Sequence, residues 1–375
     1  MSKKVRVGII GTSWWVDLMY VPSLRSYPDA EVAAVCGRNS ERAAEVAKKF
    51  GGARIFTDYR EMIAAGSLDA VVIAVPDDLH REMTIAALDA GLHVLCEKPL
   101  ANNLADANEM LHRAEVAGVK HMVLFTWRWQ PHWRYIKHLV DTGYIGRPLR
   151  ARFAFISGGA FEGTSARQWR YDGRRATGAA GDLGSHMIDF AHWYLGGVAA
   201  VSGDLPILID QSGKTERPPQ PVNDACLMIL EMQSGAQAEI DVSRVSFLAD
   251  QVIRLSVQLF GDQGAIEAEH VFFGVDSGVT LRGARVGDTR IEHGATIEGT
   301  RLAPLVIPEE YFVGGVGRNA LFDPFSKQSA GVRHFVDCIR DNRPAKPDFS
   351  DGVRVQEVVE AAFRSNAERR RISLR

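Results

Sequence analysis

"VGIIGTSWWVDL", residues 7–18, runs from an apolar strand through a glycine turn into a helix. In that context a backbone turn and a helix N-terminus present N–H groups to a pyrophosphate. The dinucleotide-binding pattern is G-x-G-x-x-G, but only Gly11 of the three glycines is present; Ser13 takes the second slot and Val16 the third. The first glycine makes the turn, the second admits close backbone approach, and the third lets the helix pack tightly. Ser13 is the smallest chiral substitute and adds a hydroxyl donor, whereas Val16 is expected to push the helix off the strand. Gly11, Thr12, Ser13, Trp14 and Trp15 are the candidate phosphate cradle, with at least one indole facing the ligand cleft. An ordinary strand–helix turn with buried tryptophans reads the same way, so the surrounding residues decide.

Outward from this turn, residues 1–126 alternate short β-branched runs with longer amphipathic stretches. Strands are expected at "VRVGII", "EVAAVC", "DAVVIAV", "HVLCE" and "KHMVLF", and helices at "SERAAEVAKKF", "HREMTIAALDA" and "LADANEMLHRAEVAG". Such alternation predicts a parallel sheet covered by helices on both faces. After residue 126 come "LRARFAFIS", "ACLMILEM", "AQAEIDVSRV", "IRLSVQLFG" and "GAIEAEH", joined by glycine turns. They predict a mostly antiparallel sheet with "GDLGSHMIDFAHWYLGG" as a helix packed on it. The polar segment 210–224 reads as a surface excursion and "VRVQEVVEAAFRSNAERR" as a terminal helix. The expected fold class is α/β: a doubly wound parallel sheet over 1–126 that binds a dinucleotide, then a second α/β domain over 127–375 with a large, open, mostly antiparallel sheet.

A chain of 375 residues accommodates two domains. Its net charge of -2 lacks the basic excess of a nucleic-acid or membrane-surface binder, so the expected partner is a small molecule. Cys36, Cys96, Cys226 and Cys338 are far apart and form neither a disulfide framework nor a metal-ligand spacing. No metal is therefore expected, and a reducing cytoplasm is the expected location. The basic start is not followed by a signal-peptide cleavage site, and no apolar run reaches the about 18–20 residues of a membrane span.

The end of the second strand bears on the cofactor. An NAD site usually places Asp or Glu there, about 20 residues beyond the glycine turn, to accept both ribose hydroxyls. "VCGRNS" instead puts Gly37 at that place, followed by Arg38, Asn39 and Ser40. An arginine pairs with a 2′-phosphate and stacks on adenine, which favours NADP over NAD; a solvated loop arginine is the other reading. In "CEKPLA", Lys98 stands at the carboxyl end of the fifth strand, the edge at which open α/β sheets bind ligands, and Pro99 restricts the backbone behind it. In "GDLGSHMID", Asp182 and His186 lie four residues apart on one helix face. The carboxylate can then orient an imidazole that takes a hydroxyl proton as hydride leaves the carbon. A helix cap and a core histidine are the alternative reading.

The glycine turn, "AVPDDLH" (74–80), "CEKPLA" (96–101), "TWRWQP" (126–131) and "GDLGSHMID" (181–189) share an order and spacing. Over nearly the whole chain they resemble the glucose-fructose oxidoreductase / inositol dehydrogenase / rhizopine catabolism (Gfo/Idh/MocA) family. The resemblance implies an N-terminal Rossmann domain and a C-terminal domain whose open sheet often forms a homodimer or homotetramer interface. It implies a catalytic group in which His186 is the acid or base, Asp182 orients it and binds substrate, and Lys98 donates hydrogen bonds to the reacting oxygen and the cofactor. It also implies that Val75, Pro76 and His80 line the cofactor, that Glu97 and Arg128 lie on the nicotinamide side, and that Trp169 borders the site. Trp127, Trp129, Trp133 and Trp169 suit the apolar face of a carbohydrate or polyol ring. Thr126 and Trp127 depart from the family's pattern, so its substrate pocket does not carry over. The expected function is hydride transfer between NADP, with NAD as the other candidate, and a hydroxyl or carbonyl of a sugar, inositol or glycoside. Its rivals are an NAD-dependent glycoside hydrolase or lyase acting through a 3-keto sugar, and a non-catalytic nucleotide or sugar sensor.

Overall fold

The computed structural model describes residues 4–158, 169–211, 220–249, 253–273, 277–287, 291–292, 295–296 and 302–374. The chain divides into two compact units, residues 1–129 with 313–356 and residues 130–312 with 357–375.

In the first unit, β1 (Val5–Ile10), β2 (Ala30–Cys36), β3 (Arg54–Phe56), β4 (Ala70–Ile73), β5 (His93–Glu97) and β6 (His121–Leu124) pair in parallel in the order β3-β2-β1-β4-β5-β6. This is a doubly wound dinucleotide sheet, whose strand order reverses between β1 and β4 and leaves a crevice at the carboxyl ends. Val7, Ile9, Val71, Val72 and Ile73 are at most 1% exposed, as strands covered on both faces must be. Helices Ser40–Lys49, His80–Asp89 and Leu104–Ala117 stand where the periodicity predicts them. Asn39 and Asn103 start two of these, each side-chain oxygen accepting the N–H three residues on, at 2.9 and 2.8 Å.

The single cut expected at 126/127 assigns residues 313–356 to the second domain, whereas the structure returns them to the first unit. Burial is the reason. Phe325, Val332, Phe335, Val336 and Cys338 share one core with Val5, Ile9, Val35 and Leu95. Polar ties seal the return: Arg333 Nε donates to the Ser23 carbonyl at 2.7 Å, and the Tyr27 hydroxyl donates to Asp337.

In the second unit the strands are β7 (Pro148–Ser157), β8 (Val198–Asp204), β9 (Ala225–Met232), β10 (Gln237–Ser243), β11 (Ile253–Gly261), β12 (Gly264–Phe272), β13 (Gly278–Arg285), β14 (Ile291–Glu292), β15 (Ala295–Thr296), β16 (Ala303–Pro304) and β17 (Ile372–Ser373). Nine of them form a sheet in the order β16-β13-β12-β11-β7-β10-β9-β8-β17, antiparallel except where β7 pairs with β10, and β14 and β15 form a separate ribbon. Phe153, Phe155, Met228, Leu230, Ile240 and Val257 are buried on one face of the sheet. Helix Ser185–Leu195 packs there, with Tyr194 stacked on Phe153 at 6.2 Å. On the opposite face Leu227 and Ile229 are 55% and 52% exposed, beside Arg150 and Arg152 paired with Glu239. Helix Pro131–Asp141 is absent from the sequence reading, and the terminal helix spans Phe349–Glu368. Residues 212–219 of the expected surface excursion lie outside the described residues. Among the described residues no helix is long and apolar enough to cross a membrane.

If the returning segment completes the first unit's core, Phe335→Ala should cost about 3–5 kcal/mol in urea unfolding of that unit. A loss under about 1 kcal/mol would mean that the segment is dispensable there.

Candidate functional site

Gly11 sits at the strand-order reversal with φ of 120°, and a Cβ there would lie 2.1 Å from the Ala74 carbonyl oxygen. Only glycine admits both that conformation and that approach. Its N–H donates to the Cys36 carbonyl at 2.9 Å, so the turn is anchored on β2 as well. Val16 is fully buried and begins a π-helical turn, Val16–Tyr20, at the start of the helix.

The two tryptophans divide. Trp14 is 47% exposed and meets Trp15 edge to face at 5.5 Å. Trp15 is partly buried, and its Nε1 donates to Glu97 Oε1 at 2.5 Å; the Tyr20 hydroxyl donates to the same oxygen at 2.7 Å. Glu97 is buried at the end of β5. Burial, reinforced by the Glu97 carboxylate, pushes the Tyr20 phenol well above its ordinary range, so Tyr20 remains a donor. The loop after β1 is thereby tied to the E-K-P segment, a link through Tyr20 that the sequence reading missed.

At the end of β2, a Cβ on Gly37 would lie 2.5 Å from the Thr12 methyl, and Arg38, Asn39 and Ser40 are exposed beyond it. The Asn39 side chain caps the following helix. Arg42 donates to the Thr12 carbonyl at 3.0 Å and pairs with Asp17 and Glu45, which steadies the loop from this side.

His80 is fully buried, with Nδ1 2.8 Å from the Pro99 carbonyl and Nε2 3.0 Å from the Val75 carbonyl. A neutral imidazole has one donor and one acceptor nitrogen, so two facing carbonyls favour the doubly protonated ring. Burial opposes the charge, but the Cys96 sulfur, Asp77 and the Pro99 carbonyl outweigh it and push His80 up to about 10. His80 thus fastens Val75 and Pro76 to the Lys98–Pro99 peptide, which is cis. Lys98 is partly exposed. Arg128 is mostly buried, 3.8 Å from Asp351, whose carboxylate also accepts the Asp348 N–H at 2.9 Å.

In the second unit Asp182 lies in a π-helical turn, Ala180–Gly184, and His186 in the first turn of helix Ser185–Leu195. His186 is buried, its ring 6.1 Å from that of Phe155. Asp182 Oδ2 accepts from Arg244 Nη2 at 2.8 Å and lies 3.4 Å from Arg170 Nε. The Arg170 guanidinium covers the Trp169 ring at 4.2 Å. The sequence reading groups Asp182 with His186 and Lys98; both arginines are additions from the structure.

Residues 5–125 match the model described as "Oxidoreductase family, NAD-binding Rossmann fold", and residues 133–267 match the "GFO/IDH/MocA C-terminal domain". The chain belongs to the Gfo/Idh/MocA family of oxidoreductases. One Gfo/Idh/MocA relative is the levoglucosan dehydrogenase of Pseudarthrobacter phenanthrenivorans, 30% identical over 61% of this chain and 62% of the relative, under two thirds of the latter's length. Another is the NADP+-dependent scyllo-inositol 2-dehydrogenase of Bacillus subtilis, 38% identical over 38% of this chain and 44% of the relative. A solved levoglucosan dehydrogenase in complex with NADH and levoglucosan superposes with a TM-score of 0.79 at 25% identity, covering 99% of each chain.

A folded-state value of about 10 against an ordinary value of 6.5 makes the His80 contribution to stability complete below about pH 6.5. It fades as pH rises through about 10, so the deficit of His80→Gln should be largest at low pH and narrow toward pH 10. In 15N NMR both ring nitrogens should stay protonated from about pH 5.5 to about pH 8.5; a midpoint near the ordinary value would contradict the two-carbonyl cage.

Proposed function

We propose that this protein is an NADP(H)-preferring oxidoreductase acting on a hydroxyl or carbonyl of a sugar, inositol or glycoside. The observation that carries the reading is the link from the turn after β1, through Trp15 and Tyr20, to Glu97 beside Lys98. Dinucleotide turn and the lysine that donates to the reacting oxygen are then parts of one braced sheet edge. The Gly11 cradle, which any Cβ would fill, fits a pyrophosphate held by the backbone of Thr12, Ser13, Trp14 and Trp15. Thr12 fills the space where a side chain at position 37 would begin, and the exposed Arg38 supplies a cation for a 2′-phosphate, with Asn39 and Ser40 beside it. An NADP+-dependent relative supports that preference, while the NADH-bound relative keeps NAD as the other candidate. Val75 and Pro76 would line the cofactor, Glu97 and Arg128 would flank its nicotinamide and Trp169 would border the site, whereas His80, expected to line the cofactor too, is fully buried and would act by holding Val75 and Pro76 in place.

When bound, the nicotinamide accepts or supplies hydride at the carbon being oxidised or reduced. The chain's own residues handle the proton. His186 takes it from the hydroxyl during oxidation and returns it during reduction. Asp182 accepts a hydrogen bond from a substrate hydroxyl, and Lys98 donates to the reacting oxygen, steadying its developing negative charge. The exposed apolar residues of the open sheet face, Leu227 and Ile229, support a homodimer or homotetramer through that face, and free, buried cysteines fit a cytoplasmic protein.

Absorbance at the reduced-nicotinamide band, with NADP+ and a panel of sugars and polyols, tests the reading. Lys98→Ala and His186→Ala should each lower kcat/KM by about 10²–10⁴ while NADPH affinity stays within about threefold. Arg38→Asp should shift preference toward NAD. No turnover by wild type with either cofactor, or unchanged rates in both alanine variants, would overturn it.

A further inference from the structure

The carboxylate proposed to bind substrate is held by a residue that the Asp-x-x-x-His pair does not contain. Arg244 directly follows β10, and its backbone N–H donates to the Asp224 carbonyl at 2.9 Å, which fixes where the side chain begins. The side chain is only 7% exposed; its guanidinium lies over the Tyr171 ring at 5.9 Å and, among the described residues, makes three hydrogen bonds. Nη2 lies 2.8 Å from Asp182 Oδ2 and 3.3 Å from the Gly178 carbonyl, and Nη1 lies 3.3 Å from the Arg170 carbonyl. Arg170 reaches the same Asp182 oxygen while stacked on Trp169. Asp182 Oδ2 therefore sits against two cations, and one of them also spans the backbone on either side.

We infer that Arg244 is the positioning residue of Asp182, holding the carboxylate oriented so that it accepts a hydrogen bond from a sugar or polyol hydroxyl. The inference rests on the proposed role of Asp182 in substrate binding. A planar guanidinium meets a carboxylate and two carbonyls at once, whereas a lysine is a point charge that serves fewer acceptors. The alternative is that Arg244 merely staples the segments at 170 and 178, with Asp182 a bystander. The two accounts differ in how the effect of removing Arg244 depends on Asp182.

A double-mutant cycle reads that dependence. Steady-state kinetics are measured with NADP+ and, in turn, levoglucosan, myo-inositol, scyllo-inositol and D-apiose, for wild type, R244M, R244K, D182N and R244M/D182N. R244M should lower kcat/KM by about tenfold or more, chiefly through the KM of the alcohol, with the KM for NADP+ within about threefold. R244K should recover part of the loss. In the D182N background R244M should cost no more than about twofold, because its target is already gone. If R244M does not fold, R244K and R244K/D182N complete the same cycle. A loss by the same factor in both backgrounds, or no loss, overturns the inference while leaving the proposed function intact. If wild type oxidises none of the four alcohols, or D182N matches wild type, the reading of Asp182 fails and the inference falls with it.

Discussion

The approach of Gly11 to the Ala74 carbonyl is the constraint on which the first unit's chemistry depends. β1 and β4 are hydrogen-bonded neighbours, and the sheet reverses its order between them. Their carboxyl ends can close on each other only if the residue leaving β1 has no side chain. That contact sets the path of residues 12–15, and from that path follow the reach of Trp15 to Glu97, the seat of Thr12 against Gly37, and the grip of Arg42 on the Thr12 carbonyl. In place of the two glycines that the turn lacks, Ser13 stands in the second slot, its carbonyl accepting the Val16 N–H at 3.0 Å, and the buried Val16 begins a π-helical turn.

Each unit carries such a π-helical turn, and in each the turn delivers a group to a polar partner. Val16–Tyr20 ends on the tyrosine that donates to Glu97, and Ala180–Gly184 contains the aspartate that accepts from Arg244. A π turn adds a residue to the helical winding and so re-aims the side chains at its end. The chemistry-bearing groups are thus set by local departures from regular helix, supported by partners distant in the chain.

That distance explains what the sequence discloses and what it hides. The apolar runs of β1, β2, β4 and β5 and the helix from Ser40 are legible because burial and periodicity are local signals. β3, a three-residue edge strand with two exposed residues, carries too short a pattern to read. Helix Pro131–Asp141 is hidden because its opening proline falls inside a stretch read as a motif rather than as a helix start. The candidate residues from the glycine turn to His186 emerge from their motifs, whereas Tyr20 and Arg244 do not, since their partners are 77 and 62 residues away. The return of 313–356 is hidden for the same reason: its apolar face announces a core but not which one.

Fluorescence titration of NADPH against wild type and Gly11→Ala, with urea unfolding as a control for folded protein, tests the central claim most directly. Wild type should bind saturably, and the alanine variant should bind at least about tenfold more weakly, since φ strain and the clash with Ala74 displace the turn at a cost of about 1–3 kcal/mol or more. Equal affinity in the two folded proteins would contradict the account, because the cofactor would then not depend on the turn after β1.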